Sequence, residues 1–135
     1  MARNRFRGIQ EGYRSGLEQG TAANLTERGV SYTYEEMKIK WLDTKTKTYT
    51  PDFVLENGII VETKGRFTSP DRSKHLRVKE QYPELDIRFV FTNSNQRLYK
   101  GAKSSYADWC KKNSYLYADK IIPQEWLDEK GTKDE

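Results

Sequence analysis

The sequence is poor in apolar residues and in cysteine. Apolar residues (A, V, I, L, M, F, W, Y and C) make up 35% of its 135 residues, whereas typical soluble domains contain roughly 45–50% on a similar count. A single domain of this length with so little apolar material is marginally stable, which favours further burial in an oligomer. The one cysteine, Cys110, excludes an intrachain disulfide and a CxxC metal site. We expect it to be a small buried hydrophobic residue.

Long apolar runs are also missing. No stretch approaches the roughly 18 apolar residues that cross a bilayer. The N-terminal arginines are not followed by the apolar segment of a secretory signal. We therefore expect no membrane partner and a cytoplasmic location.

The charge is uneven along the chain. Lys and Arg number 24, Asp and Glu number 20, and the formal net charge is +4. Basic residues concentrate in three blocks, at 1–14, 64–79 and 97–112, whereas the C-terminal end is acidic. Three such blocks can form one surface that neutralises phosphates, which favours a nucleic-acid partner. The alternative is that they only solvate exposed faces.

The apolar spacing and the turn residues predict one α/β or α+β domain. Residues 1–8 are expected to be a flexible basic arm, residues 9–130 the domain and residues 131–135 a flexible tail. Helices are predicted at 10–28, at 69–82, from Ser104 or Ser105 to Lys112, and after Pro123. Strands are predicted at 31–41, 49–55, 59–64 and 86–92. Ser69 is the predicted N-cap of the second helix, and the polar segment 42–48 is predicted to be a loop or linker.

The segment with the clearest chemistry holds two acids and a lysine on two adjacent predicted strands. Glu62 and Lys64 share one face of their strand because side chains alternate. A two-residue turn would place Asp52 on the opposite face. A three-residue turn at 56–58 with Gly58 in the left-handed region would place Asp52 directly opposite Glu62. Opposed carboxylates repel each other unless a cation lies between them, so the chemistry favours the three-residue turn.

Two neighbouring carboxylates provide ligands for a hard divalent cation. Mg²⁺ typically takes one or two carboxylates together with waters and phosphate oxygens. Lys64, beside such an ion, could orient a water molecule or stabilise charge on a phosphate. The alternative is a surface Glu–Lys pair with Asp52 merely starting a strand. The buried strand that leads into the motif and the basic helix that follows it favour catalysis.

Several motifs in order resemble the bacteriophage endonuclease I family of Holliday-junction resolvases. They are Arg14-Ser15-Gly16-Leu17-Glu18, Tyr49-Thr50-Pro51-Asp52-Phe53, Val61-Glu62-Thr63-Lys64-Gly65, Asp71-Arg72-Ser73-Lys74-His75-Leu76, Pro83-Glu84-Leu85-Asp86-Ile87-Arg88, Leu98-Tyr99-Lys100-Gly101, Ala118-Asp119-Lys120 and Ile122-Pro123-Gln124-Glu125-Trp126. The resemblance covers roughly residues 10–128. It implies a restriction-endonuclease-like α/β fold, a mixed sheet flanked by helices. The acidic C-terminal end departs from the basic tail associated with the family.

The resemblance also implies an activity and a site. The expected activity is Mg²⁺-dependent phosphodiester hydrolysis, with Mn²⁺ as a substitute, on four-way and other branched DNA. The implied catalytic set is Glu18, Asp52, Glu62 and Lys64, and the implied metal ligands are the three carboxylates and the Thr63 carbonyl. It further implies a strand-exchanged homodimer in which segment 42–48 is a bridge and Glu18 joins the other three from the partner chain. A phage-encoded protein of this kind would work in the cytoplasm of the bacterial host.

The basic blocks supply the predicted DNA contacts, which are Arg5, Arg7, Arg14, Arg66, Arg72, Lys74, His75 and Lys100. Two other functions remain open. One is a sequence-specific or lesion-specific nuclease with the same fold. The other is a non-catalytic DNA-binding dimer in which the acids are ordinary surface charges.

Overall fold

The structure is a computed structural model that describes residues 16–131. Its helices are α1 (Gly16–Glu27), α2 (Ser69–Gln81), α3 (Tyr106–Lys112) and α4 (Gln124–Asp128). Its strands are β1 (Tyr32–Tyr34), β2 (Ile39–Leu42), β3 (Thr46–Tyr49), β4 (Phe53–Leu55), β5 (Ile60–Lys64), β6 (Ile87–Phe91) and β7 (Tyr117–Asp119). The predicted arm, the start of the first predicted helix and most of the predicted tail lie outside the described residues.

A five-stranded mixed sheet forms the centre of the described chain, in the order β1-β4-β5-β6-β7. β4 pairs antiparallel with β1 and β5, whereas β5, β6 and β7 run parallel. Because parallel neighbours need a crossover, α2 connects β5 to β6 and α3 connects β6 to β7. The mixed sheet flanked by helices confirms the predicted fold class.

The sheet is covered on both faces, so its central strands carry apolar residues on both sides. Phe89 and Phe91 of β6 pack with Val78 of α2 and Trp109 of α3. On the other face, Val90 belongs to a second apolar cluster with residues of α1 and α4. All five residues of β6 are buried, which is typical of parallel strands between two layers.

The strand predicted at 31–41 is wrong as one element. The chain turns sharply after β1, where Glu35 takes a left-handed conformation with φ of 51°. It then continues as β2, which pairs with β3 in a separate two-stranded sheet. The loop prediction is therefore wrong for Leu42 and for residues 46–48. The bridge role of segment 42–48 concerns two chains and stays a prediction.

The β2–β3 hairpin is attached to α2 through its backbone. The Gln81 amide donates to Leu42 O and accepts from Leu42 N, both at 2.7 Å. The Tyr82 hydroxyl donates to Lys40 O at 2.6 Å. These bonds replace partners that an isolated hairpin would find only in water.

Three further sequence predictions can be compared with the described residues. Thr68, and not Ser69, is the N-cap of α2, because its side chain accepts from Asp71 N while the Asp71 carboxylate accepts from Thr68 N. Ser105 caps α3, as one of the two predicted alternatives. Cys110 is fully buried, as predicted.

Strand β7 was not predicted. None of the described helices combines the length and apolar character needed to cross a bilayer.

Candidate active site

The hairpin of β4 and β5 has the three-residue turn that the chemistry favours. Gly58 has φ of 92°, and its N–H donates to Leu55 O at 2.9 Å. Leu55 N donates to Ile59 O at 2.8 Å, and Phe53 pairs with Val61. Continuing this register by one pair places Asp52 opposite Glu62. The predicted register is thus confirmed.

Hydrogen bonds hold both carboxylates of this pair. The Asp52 N–H donates to Glu62 Oε2 at 2.8 Å. Asp52 Oδ2 accepts from the backbone N and the hydroxyl of Thr63, both at 3.0 Å. Asp52 is 3% exposed and Glu62 is 2% exposed. Such burial of two adjacent acids is costly unless cations or donors compensate it.

The electrostatics of Glu62 reflect this crowding. Burial and then the Asp52 charge raise the pKa of Glu62, Lys64 opposes the shift, and the resulting pKa is about 7. Lys64 Nζ lies 3.9 Å from Glu62 Oε1 and 3.5 Å from Asp71 Oδ1. Two carboxylates therefore hold the Lys64 ammonium beside the hairpin.

Asp52 also belongs to a second group of acids, with Glu18 and Glu35. One carboxylate oxygen each of Glu18, Glu35 and Asp52 lies within 4.8 Å of the others. Glu18 reaches this point from α1 and is buried, and its Oε1 accepts a bond from the Tyr34 hydroxyl at 2.8 Å. Three clustered oxygen donors, two of them buried, fit a hard divalent cation. The structure thus brings Glu18 to Asp52 within one chain.

Glu35 is a site residue that the sequence reasoning missed. The sequence predicts one strand through residues 31–41, and that strand gives no reason to place Glu35 beside Asp52. The left-handed turn instead lets the Glu35 N–H donate to Asp52 O at 3.0 Å. No local sequence signal marks this turn, because glutamate is not a residue that favours the left-handed region.

The structure divides the predicted metal ligands between two environments. Glu18 and Asp52 share the acidic cluster with Glu35. Glu62 instead bonds the Asp52 N–H and faces Lys64. The Thr63 amide and hydroxyl bond Asp52, so Thr63 lies beside the same cluster. The roles of these residues in metal binding stay predictions.

An open cleft of about 460 Å³ adjoins these residues. It is lined by the acids Glu35, Asp52, Glu62 and Asp71, the lysines Lys38, Lys64 and Lys74, and the threonines Thr48, Thr50 and Thr63. Because the lining combines acids with lysines, the cleft suits a substrate that is itself anionic and is held beside a cation.

His75, a predicted DNA contact, does not lie at the surface. His75 is fully buried, with its ring 5.2 Å from that of Tyr49 and 4.9 Å from that of Phe89. Burial lowers the pKa of His75 well below its usual range, and the charges of Lys74 and Lys64 lower it further. A neutral ring inside the core cannot contact DNA from this position. It packs instead behind Glu62, with Nε2 at 3.9 Å from Oε1.

The other predicted DNA contacts occupy different positions. Arg66 and Lys100 are exposed and line one groove of about 430 Å³. Arg72 is half-buried and donates to Phe67 O at 2.7 Å, so it also fixes the start of α2. Lys74 lies in the active-site cleft. The predicted contacts Arg5, Arg7 and Arg14 lie outside the described residues.

The chain has the restriction-endonuclease-like fold class, a mixed sheet flanked by helices, and it carries acids and a lysine at the end of the central hairpin. The sequence profile of the family described as phage endonuclease I matches residues 1–134. Endonuclease I of Escherichia phage T7 is 50% identical over 118 residues, covering 87% of this chain and 79% of that protein. Endodeoxyribonuclease 1 of Enterobacteria phage T3 is 49% identical over 112 residues, covering 82% and 74%. The chain therefore belongs to the phage endonuclease I family.

Proposed function

We propose that the protein is a structure-selective DNA endonuclease that cuts four-way junctions and other branched DNA by Mg²⁺-dependent phosphodiester hydrolysis, with Mn²⁺ as a substitute. The main observation is the register that places Asp52 opposite Glu62 beside Lys64. The relatives named endonuclease and endodeoxyribonuclease support the same activity. As a phage protein, it would act in the cytoplasm of the bacterial host.

Asp52 is the central residue of the proposed metal site. Its carboxylate lies within 4.8 Å of those of Glu18 and Glu35, and its N–H donates to Glu62 Oε2. Glu18, Asp52, Glu62 and the Thr63 carbonyl are the proposed ligands. When bound, a divalent cation supplies Lewis-acid stabilisation of the charge that develops on the phosphate.

The remaining residues of the site position the reacting groups. The Lys64 ammonium is held between Glu62 and Asp71. It can donate to a water molecule or to a phosphate oxygen in the adjoining cleft. Thr63 orients Asp52 through two bonds to Oδ2. Because Asp52, Glu62 and Thr63 are buried, their geometry is fixed before substrate arrives.

The basic side chains around the cleft provide sequence-independent DNA affinity. Arg66 and Lys100 line a neighbouring groove, and Arg5, Arg7, Arg14, Arg72 and Lys74 are the other proposed contacts. Phosphate contacts fix the position of a protein on DNA without reading its sequence. Selectivity for branches would then come from the shape of the DNA.

The proposed assembly is a strand-exchanged homodimer. An exchange of identical elements repeats the same contacts between chains that one chain makes within itself. If segment 42–48 bridges two chains, Glu18 of one chain meets Asp52, Glu62 and Lys64 of the other. Coexpression of Glu18→Gln and Asp52→Asn chains tests this. An exchanged heterodimer regains one intact site and nicks DNA, whereas without exchange both sites stay inactive.

The test of the function compares a four-way junction with a linear duplex of the same sequence. We expect strand nicks in the junction when Mg²⁺ is added and none with EDTA. Equal cutting of the linear duplex would favour a sequence-specific or lesion-specific nuclease. Binding without nicks at any Mg²⁺ concentration would favour a non-catalytic DNA-binding dimer.

A further inference from the structure

Lys74 differs from the other predicted DNA contacts because it lies inside the active-site cleft. It projects from the second turn of α2 and is half-buried. The cleft that it lines also contains Asp52, Glu62 and Lys64. Lys74 is therefore adjacent to the proposed reaction centre, whereas Arg66 and Lys100 line a separate groove.

Lys74 has no directly bonded counterion among the described residues, although the charges of Glu62, Asp71 and Asp52 act on it. Its Nζ lies 5.1 Å from the centroid of the buried Tyr49 ring, which fixes its direction. Within residues 16–131 it forms no hydrogen bond and no ion pair with a carboxylate. Glu62 and Asp71, whose charges act on Lys74, form their ion pairs with Lys64.

Lys64 and Lys74 also repel each other. Burial lowers the pKa of Lys74, and the charge of Lys64 lowers it further, by more than any single acid raises it. Like charges that share a partly desolvated cleft are stabilised by anions, and the acids Glu62 and Asp71 form their ion pairs with Lys64, so a further anion beside Lys74 is favourable. In a nuclease the anion with this geometry is a phosphodiester of the substrate.

We propose that Lys74 is a second catalytic lysine, whose ammonium binds a non-bridging oxygen of the reacting phosphodiester alongside Lys64. This inference rests on the proposed function and deepens it. Lys74 stabilises the charge that builds up on the phosphate oxygens, while the ring of Tyr49 and the helix α2 hold it in place. The donor is in position before the substrate binds, which is the arrangement that stabilises a transition state most effectively.

The test compares Lys74→Gln and Lys74→Arg with Lys130→Gln. Lys130 is an exposed lysine near the start of β5, at the opposite end of the strand from Lys64. With enzyme in excess over a four-way junction, we expect Lys74→Gln to cut about 10²-fold more slowly. Lys74→Arg should recover part of the rate because it keeps the charge, and Lys130→Gln should cut normally. Thermal unfolding of each variant checks that the fold is intact.

A binding measurement without cleavage provides the second readout. In EDTA, log Kd for the junction is measured against log salt concentration. One lost phosphate contact reduces the slope by about 0.9. We expect this reduction for Lys74→Gln and an unchanged slope for Lys130→Gln. An unchanged slope for Lys74→Gln together with a normal cutting rate would overturn the inference.

A modified substrate distinguishes the reacting phosphate from its neighbours. A methylphosphonate at the mapped incision site removes the charge of one phosphate. If Lys74 binds that phosphate, Lys74→Gln weakens binding to unmodified DNA. The same variant and the unchanged protein then bind the modified DNA equally well. Equal weakening on both would place Lys74 on another phosphate and overturn the proposal. Absence of cutting by the unchanged protein would instead refute the proposed function, not the Lys74 assignment alone.

Discussion

Two charged clusters lie at opposite ends of the central strands and are built on opposite principles. At the start of β6, Arg88 bonds Asp86 and Glu129 through four hydrogen bonds of 2.6–2.9 Å, and its guanidinium stacks on Trp126. At the end of β5, Asp52 and Glu62 are buried side by side, and Lys64 and Lys74 share their cleft.

The difference separates structural from functional charge. In the first cluster, the two carboxylates both bond the single guanidinium, so the cluster joins the end of α4 to the sheet. In the second cluster, two carboxylates are buried side by side, and two lysines line the same cleft. A fold tolerates such an arrangement where it serves binding or catalysis, and it does so at a cost in stability.

The largest expected effect is the loss of cleavage in Asp52→Asn. Asn keeps the shape of the side chain and an oxygen for Thr63, but it removes one of the two buried charges. We expect the cutting rate of a four-way junction in Mg²⁺ to fall by about 10³-fold. The melting temperature should stay the same or rise, because the repulsion with Glu62 is removed. Asp128→Asn, on the exposed end of α4, is the matched control. A marked fall in melting temperature would show that Asp52 is mainly structural.

Arg88→Met should lower the stability of the protein and leave its cutting rate nearly unchanged. Arg88 has a side chain 5% exposed, whereas its partners Asp86 and Glu129 are about half exposed. We expect a loss of about 2–3 kcal/mol in the free energy of unfolding, below the full cost of breaking a buried pair because the partners can be hydrated. Urea denaturation measures it. The cutting rate of the folded protein at 25 °C should change by less than about twofold.

The control for Arg88 is an arginine with a weak partner. Arg77 is exposed, and its Nε lies 3.5 Å from Asp43. Arg77→Met should cost less than about 0.5 kcal/mol. If Arg77→Met and Arg88→Met were equally destabilising, the matched network at β6 would have no special role.

A smaller effect concerns the pH dependence of the Arg88 network. Bonding to Arg88 lowers the pKa of Glu129 below its ordinary value of 4.5. The unfolded chain therefore binds a proton before the folded protein does, and the stabilisation is present above pH 4.5 and declines as the pH falls. The difference in unfolding free energy between the unchanged protein and Glu129→Gln should shrink from pH 7 to pH 3.5. A difference that grew with acidification would contradict the ion pair.

Local sequence signals predicted much of this site. The acid–lysine spacing and the three-residue turn at Gly58 predicted the register of Asp52 and Glu62, because turn length and side-chain alternation determine it. The apolar content of β5 and β6 predicted the strands. Glu18 was assigned only by resemblance, since an acid in a helix carries no signal of what the helix packs against.

The errors arise where tertiary contacts override local pattern. The break after Tyr34 depends on a backbone bond from Glu35 to Asp52, a residue 17 positions later. The burial of His75 depends on Tyr49 and Phe89, which belong to other elements. Sequence periodicity does not contain this information, so it could not predict Glu35 in the site or His75 in the core.

The smallest expected effect tests the start of α2. Asp71 completes the capping box with Thr68 and also lies 3.5 Å from Lys64. Burial raises the pKa of Asp71, but Lys64 and the bonds from Thr68 outweigh it and leave the pKa below its usual value. The same carboxylate thus stabilises the helix and holds the lysine of the cleft.

Thr68→Ala removes the cap and leaves Asp71 N without its side-chain acceptor. We expect a loss of about 1 kcal/mol in unfolding free energy by urea denaturation. Ser69→Ala, the matched change one residue later, should be nearly neutral because Ser69 is exposed at the first helical position. Equal losses of unfolding free energy in the two variants would mean that both residues cap the helix. A larger loss for Ser69→Ala would show that Ser69 is the N-cap, as the sequence predicts. Since Asp71 keeps its contact with Lys64 in both variants, cutting should fall by no more than about threefold even where the helix is weakened.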